Sequence, residues 1–393
     1  MAQTRSLAPR EPKSEREPLP YFVTAAKGTE GLLKAELREI GVYPIEGDRG
    51  GVHFGGDLQA AFNVCLWSRI GVRVLERRFE TAVSNDRELY EAVYEHNVDD
   101  LLDPARTLAV TVMLKSSHAT HSQFVSRRVK DAIVDRQRDK LHRRSDVNPQ
   151  DPDVHFVARL HNDTLTFYVD LSGEPLHRRG YRASSGIAPI KENLAAALLR
   201  LSGYDGSQSL RDPCCGAGTI LCEAFLIAQN RAPGLGRARF GLERFARTGV
   251  VERRQFRDYR DAAKACTNSD AYAELSGSDI DMDALERAKQ AIRRIGGDAS
   301  FARRDVLQAV PPVGPGLVVT NPPYGVRLDG GDSFDQRLAA ALRRWENHQI
   351  VVLTQEKRFS SYFGKACDFE HALYNGDLEC RVFGWDLLAK SEN

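Results

Sequence analysis

The chain has 393 residues, and its 55 Lys and Arg nearly cancel its 54 Asp and Glu to leave a formal net charge of +1. Hydrophobic residues at 42% and charged residues at 28% exclude a collagen-like or wholly disordered chain, and the length excludes a single mini-domain. At roughly 150 residues per domain two or three domains are expected, and the balanced charge argues against a nucleic-acid partner only if no basic face hides inside the average.

Residues 1 to 19 are dominated by Pro, Arg, Lys and Glu and are expected to form a disordered tail. The tail lacks the apolar core of a signal peptide, and Glu11, Glu15 and Glu17 do not suit a transit peptide. No apolar run reaches the ~18 residues of a membrane span. The seven cysteines, at 65, 214, 215, 222, 266, 367 and 380, include no C-x-x-C pair. Neither a disulfide framework nor a metal site is expected, and a reducing cytoplasm is the default compartment.

Residues 21 to 26 read as a strand, followed by a helix that opens at Gly28-Thr29-Glu30 and stops at Gly41. A short strand lies between Gly50 and Gly55, and a helix over 57 to 70. Thr107 to Leu114 alternates like a strand. Residues 121 to 142 place Phe124, Val125, Val129, Ile133, Val134 and Leu141 at helical spacing. After a proline-broken loop, Val154 to Leu160 and Thr164 to Leu171 read as a hairpin. This half is a mixture of small α+β units. Beyond a junction over Gly173 to Gly186 the pattern changes. A helix over 190 to 202 is followed by Leu210-Arg211-Asp212, a helix over Ile220 to Ala228, and strands at Glu274 to Ile280, Ser300 to Arg303, Leu317 to Thr320 and Ile350 to Thr354. Strands alternating with helices predict an α/β domain with a parallel, doubly wound sheet. No internal repeat is present.

Asp212-Pro-Cys-Cys-Gly-Ala-Gly-Thr219 falls between strand and helix, where ligands bind in open α/β sheets. Gly216 and Gly218 permit close approach to the backbone, and the following helix presents free N–H groups to an anion. Leu221 stands where a dinucleotide fingerprint has its third glycine, and no lysine makes a P-loop. S-adenosylmethionine, whose one anion is a carboxylate, fits better. Cys214 and Thr219 flank the two glycines. Asp279, followed by Ile280, ends the next strand and suits the ribose hydroxyls. Asp305, followed by Val306, ends the third and suits the adenine amino group. The alternative is that each acid caps the element after it.

Leu317 to Thr320 runs into Asn321-Pro322-Pro323-Tyr324. An exocyclic amino group on a base is a poor nucleophile because its lone pair is delocalised into the ring. The Asn321 side-chain oxygen and the Pro322 carbonyl can accept its two N–H bonds. Pro323 stiffens the loop and Tyr324 offers a ring for a flipped-out base. A turn after a strand is the bland alternative.

With these residues in place, the second half resembles class I S-adenosylmethionine-dependent methyltransferases acting on planar amino nitrogens. The whole chain resembles more narrowly the THUMP-domain RNA guanine-N2 methyltransferases of the large-subunit ribosomal RNA type. The matching stretches are Tyr21 to Glu39, Leu176 to Arg182, Ala188 to Glu192, Ala232 to Leu235, Phe240 to Glu243 and Tyr374 to Cys380. Cys214 and Ala217 vary the cofactor loop, and Val326 replaces an acid usual after the tetrapeptide. The resemblance implies a Rossmann-like methyltransferase domain over 173–393, its mostly parallel sheet closed by an antiparallel hairpin. It also implies a ferredoxin-like segment over 20–60 and a THUMP RNA-binding domain over 61–172. The second methyltransferase domain of some longer relatives is not expected, so one activity is.

Arg127, Arg128, Lys130, Arg136, Arg138, Lys140, Arg143 and Arg144 crowd the long helix, with Asp131, Asp135 and Asp139 among them. A salt-bridged solvated face is the alternative to phosphate binding; the THUMP resemblance favours RNA. Arg178, Arg179 and Arg182 form a second basic patch beside Tyr181. His118 and His121 read as surface residues. The expected function is methylation of guanine N2 in ribosomal RNA by a cytoplasmic enzyme, a monomer by default. A tRNA guanine methyltransferase, a DNA adenine or protein glutamine methyltransferase (both also use Asn-Pro-Pro-Tyr), and an inactive RNA-binding assembly factor remain as rivals.

Overall fold

The computed structural model describes residues 19–117, 119, 121–182, 190–271, 274–311, 313–324 and 333–388. Residues 1 to 18 of the tail expected over 1 to 19, His118, Ala188 and Pro189 of the linker motif, and Val326 lie outside these residues.

The first half contains Tyr21–Thr24 (β1), Glu30–Ile40 (α1), Ile45–Asp48 (β2), Gly51–Phe54 (β3), Leu58–Trp67 (α2) and Arg73–Ala82 (β4). It continues with Asp86–Glu95 (α3), Leu108–Lys115 (β5), Ser122–Leu141 (α4), Val154–His161 (β6) and Thr164–Asp170 (β7). Local chemistry sets several boundaries. Gly41 ends α1 at φ 86°, where a side chain would be strained. Asp57 caps α2 by accepting the Ala60 N–H, and Asn85 caps α3 through the N–H groups of Arg87 and Glu88; each cap is worth ~1 kcal/mol.

The strands form one sheet in the order β2-β3-β1-β4-β7-β6-β5, antiparallel except for the β5–β6 pair. β4 is its centre, with β1 on one side and β7 on the other. Neither β4 nor β2 nor α3 is expected from the sequence. In β4 the buried residues Val74 and Leu75 are adjacent, not alternating, and the register shifts between Arg77 and Phe79. Its charged side chains find partners in place: Arg73 pairs with buried Asp170, Arg78 with Asp100 at 3.1 Å, and Glu80 accepts the Thr166 hydroxyl at 2.8 Å. Paired charges on a central strand erase the period-two signal.

The second half contains Glu192–Leu201 (α5), Leu210–Asp212 (β8), Thr219–Ala228 (α6), Val250–Ala265 (α7), Leu275–Asp279 (β9), Met282–Arg294 (α8) and Ser300–Arg303 (β10). Gly316–Thr320 (β11), Phe334–Leu342 (α9), His348–Thr354 (β12), Phe359–Phe363 (α10), Phe369–Asn375 (β13) and Leu378–Asp386 (β14) complete it. The sheet order is β10-β9-β8-β11-β12-β14-β13. Its first five strands are parallel, and β14 and β13 close it as an antiparallel hairpin. The chain moves outward from β8 to β10, then returns to β11 on the other side. That reversal opens a crevice at the carboxyl ends of β8 and β11, where α/β sheets bind ligands.

The insertion after α6 joins the halves. Phe62 of α2 stacks on Phe256 of α7 with ring centroids 4.5 Å apart. Gly234 lies so close to α2 that a Cβ there would meet Leu66 Cα at 2.8 Å. Arg237 donates to the carbonyls of Ser172, Glu174, Pro175 and Arg178, clamping the junction. At the far edge, His371 of β13 approaches the Gly28 carbonyl at 2.7 Å and Lys27 sits over the Tyr374 ring.

Candidate active site

β8 delivers Asp212 to the crevice with only 2% of its surface exposed. Its Oδ1 accepts the Thr320 hydroxyl at 2.8 Å and the Cys214 N–H at 3.2 Å. Burial pushes this carboxyl up to about 7 and the nearby Asp279 charge adds to the rise, while those two hydrogen bonds oppose it. The loop is zipped to β9 by the Cys215 N–H on the Ser278 carbonyl (3.0 Å) and by the Gly216 N–H on Asp279 Oδ2 (2.8 Å). Gly216 and Gly218 have φ of 51° and 74°, the left-handed region glycine tolerates. Gly218 is also pressed against α8: a Cβ there would lie 2.9 Å from Ala288 Cβ. Thr219 is buried as the first residue of α6. Burial pushes the Cys214 and Cys215 thiols up, which favours their neutral form and disfavours a nucleophilic role.

Asp279 and Asp305 sit at the carboxyl ends of β9 and β10. Each also turns the chain locally. Asp279 Oδ1 accepts the Asp281 N–H at 3.0 Å, and Asp305 Oδ1 accepts the Leu307 N–H at 2.9 Å, capping the single turn Val306–Gln308. Capping and ligand binding are not exclusive, because a carboxylate has about four lone-pair sites. Among the described residues no Lys or Arg is ion-paired with Asp212, Asp279 or Asp305; Arg287 pairs with Asp281 instead, at 3.5 Å. Ile280 is exposed beside Asp279, while Val306 is buried.

β11 runs beside β8, with Leu317 opposite Leu210 and Val318 opposite Arg211. It brings Asn321 to the same crevice. Asn321 and Tyr324 are half-buried, Pro322 is buried and Pro323 exposed. The Tyr324 hydroxyl donates to Asn321 Oδ1, which leaves one lone pair of that oxygen for another donor. Burial pushes the Tyr324 phenol up, with Cys380 of β14 adding to it, so it remains a neutral donor. Its ring packs against the core formed by Ile220, Val319, Leu373 and Cys380.

Three domain models match the chain: an RlmL ferredoxin-like domain over residues 20–75, a THUMP domain over 83–170, and the UPF0020 RMKL-like methyltransferase domain over 179–382. The last covers half of the chain. The chain belongs to the RMKL-like methyltransferase family. A ribosomal RNA large subunit methyltransferase K/L of Syntrophotalea carbinolica is 38% identical over 94% of this chain and 54% of its own length. The chain spans about half the length of this relative and of its counterpart in Methylococcus capsulatus. A putative RNA methyltransferase of Synechocystis, slr0064, is 32% identical over 94% of this chain and 97% of its own length. The crystal structure of SMU.472, a putative methyltransferase complexed with SAH, superposes with a TM-score of 0.82 at 26% identity, covering 94% of this chain and 98% of that one. A predicted N6-adenine-specific DNA methylase from Listeria monocytogenes superposes at 0.80 with 30% identity, covering 94% and 96%.

For this family member the two basic patches fare differently. On α4, the Tyr90 and Tyr94 hydroxyls of α3 donate to Asp135 and Asp139 at 2.8 and 2.9 Å. The acids therefore face α3, while Arg127, Lys140, Arg143 and Arg144 are exposed. Arg128 lies over the Tyr90 ring and Lys130 pairs with Asp131, so these two are partly committed. Arg178 is exposed in an ion pair with Glu174. Arg179 corrects the sequence reading: it is 3% exposed, donates to the carbonyls of Leu176 and Arg69, and lies 3.6 Å from buried Glu223. It holds the junction and has no surface to offer RNA. Arg182 keeps 23% of its side chain exposed and is partly committed. Its guanidinium turns inward to the Ile190 carbonyl, the Thr219 hydroxyl at 2.6 Å and Glu192 at 3.3 Å, bracing the start of α6. Sequence reasoning also misses Thr320, which reads only as the end of a strand. Among the described residues no group of three or more His, Cys, Asp and Glu is placed to hold a metal, and no helix is long and apolar enough to cross a membrane.

Proposed function

We propose that the protein transfers a methyl group from S-adenosylmethionine to the exocyclic N2 of a guanine in large-subunit ribosomal RNA, in the cytoplasm. The observation that carries this reading is the meeting of Asn321-Pro322-Pro323-Tyr324 with the Asp212–Thr219 loop at the switch point between β8 and β11. The donor set fits the cofactor: carboxylates that pair with no Lys or Arg among the described residues suit its ammonium and ribose hydroxyls, and the N–H groups at the start of α6 suit its carboxylate. That cofactor supplies an activated methyl group on a sulfonium.

The chain's own groups do the rest. Asp212 and Asp279 anchor the cofactor's polar groups, and Asp305 with Ile280 bounds the adenine. Asn321 Oδ1 and the Pro322 carbonyl accept the two N–H bonds of the guanine amino group, aligning its nitrogen with the methyl carbon. Tyr324 stacks on the flipped base once its hydroxyl leaves Asn321. Arg127, Lys140, Arg143 and Arg144 neutralise RNA phosphates. The names of the curated relatives support RNA, and ribosomal RNA in particular, over DNA or protein.

Mass spectrometry of nucleosides from a strain lacking the gene tests the substrate. Loss of N2-methylguanosine from large-subunit ribosomal RNA is expected; loss from tRNA alone overturns the choice of RNA.

A further inference from the structure

Thr320 is the last residue of β11 and Asp212 the last of β8; both are buried. The backbone ladder between these strands covers only Leu317–Leu210 and Val318–Arg211. Beyond it the strands part to make the crevice. Across that gap the Thr320 hydroxyl donates to Asp212 Oδ1 at 2.8 Å. Thr320 is bonded directly to Asn321, and Asp212 opens the loop that carries Gly216 and Gly218. The Thr320 side chain therefore bridges the two loops whose separation sets the distance between methyl donor and acceptor, with the Cys214 thiol beside the same hydroxyl.

We infer that Thr320 is a positioning residue: through Asp212, its hydroxyl holds the Asn321 loop in register with the cofactor loop. The inference rests on the methyl-transfer reading above for its consequence, though not for the bond itself. Valine would fill the same space, so only the hydroxyl requires threonine here. Asp212 faces Asp279, Cys214 and Cys215, and no Lys or Arg is ion-paired with it among the described residues. The Thr320 hydroxyl and the Cys214 N–H are thus the donors that favour its charged form. Removing the hydroxyl takes away a bond that favours the ionised Asp212 carboxyl, so its titration moves further up, and it frees Asn321 to drift. A displacement near 1 Å at a reacting group costs up to ~100-fold in rate.

The test compares Thr320→Val with Thr320→Ser. The Asp212 carboxyl is titrated by carbon-13 NMR in the ligand-free chain, with Asp212→Asn assigning the signal, and turnover is measured on undermodified ribosomal RNA. Thr320→Val is expected to move the titration midpoint upward and lower kcat about tenfold or more, with cofactor affinity retained at a pH where Asp212 is ionised in both proteins. Thr320→Ser keeps the hydroxyl and is expected to retain the wild-type midpoint and most of kcat. An unmoved midpoint in Thr320→Val, a moved midpoint with wild-type kcat, or Thr320→Ser behaving like Thr320→Val each overturns the inference. The titration needs no cofactor, so it judges the bond independently; absence of wild-type methyl transfer would refute the proposed function instead.

Discussion

Replacing Gly218 with alanine separates two costs that Gly216→Ala does not. Both glycines have positive φ, so a Cβ at either costs about 1–2 kcal/mol. At Gly216 the new methyl enters open space. At Gly218 it arrives 2.9 Å from Ala288 Cβ and 3.2 Å from Ala288 Cα. A helix backbone cannot swing aside as a long side chain does, so an overpacking cost of about 1–3 kcal/mol is added. Gly218→Ala is therefore expected to destabilise the catalytic domain by about 2–5 kcal/mol, and Gly216→Ala by the first part alone. Pushing α6 away from α8 also displaces the N–H groups offered to the cofactor. Denaturant unfolding followed by tryptophan fluorescence checks the order, since Trp345 and Trp385 are both buried around the catalytic sheet. Calorimetry with S-adenosylmethionine checks the site. Equal destabilisation by the two substitutions, with equal cofactor affinity, would refute the packing argument.

The basic residues divide by burial. Replacing Arg143 and Arg144 together with alanine is expected to leave stability unchanged and to reduce the salt dependence of RNA affinity, by a slope of about 0.7–0.9 for each phosphate no longer neutralised; an unchanged slope in filter binding would remove these two arginines, just beyond α4, from the RNA surface. Arg179→Ala is expected to do the opposite. It removes the bonds to the Leu176 and Arg69 carbonyls and one of the guanidiniums near buried Glu223 and so costs on the order of 3 kcal/mol in denaturant unfolding.

Much of this architecture is legible in the sequence because backbone-determined signals are local. Gly41 stops α1, strand and helix alternate through the second half, and the glycines of the Asp212–Thr219 loop mark the crevice without any knowledge of the sheet. β4 is not legible, because Arg73, Glu76, Arg78 and Glu80 occupy a central strand and only their distant partners, Asp170, Arg247, Asp100 and Thr166, reveal how. Arg179 misleads for a related reason. A sequence displays charge but not burial, and Arg179, 3% exposed, directs its donors to the carbonyls of Leu176 and Arg69. Thr320 is silent because a strand-terminal threonine carries no pattern; its meaning comes from Asp212, 108 residues away in the chain.

The central claim is that Asn321 holds the amino group to be methylated at a site whose cofactor is bound by other residues. Transfer of labelled methyl from S-adenosylmethionine to ribosomal RNA, measured for the wild-type chain and for Asn321→Ala beside calorimetric cofactor affinities, tests it most directly. Turnover in Asn321→Ala is expected to fall by about 100- to 1000-fold with cofactor affinity nearly unchanged. Wild-type turnover in that variant, or loss of cofactor binding with it, would contradict the assignment.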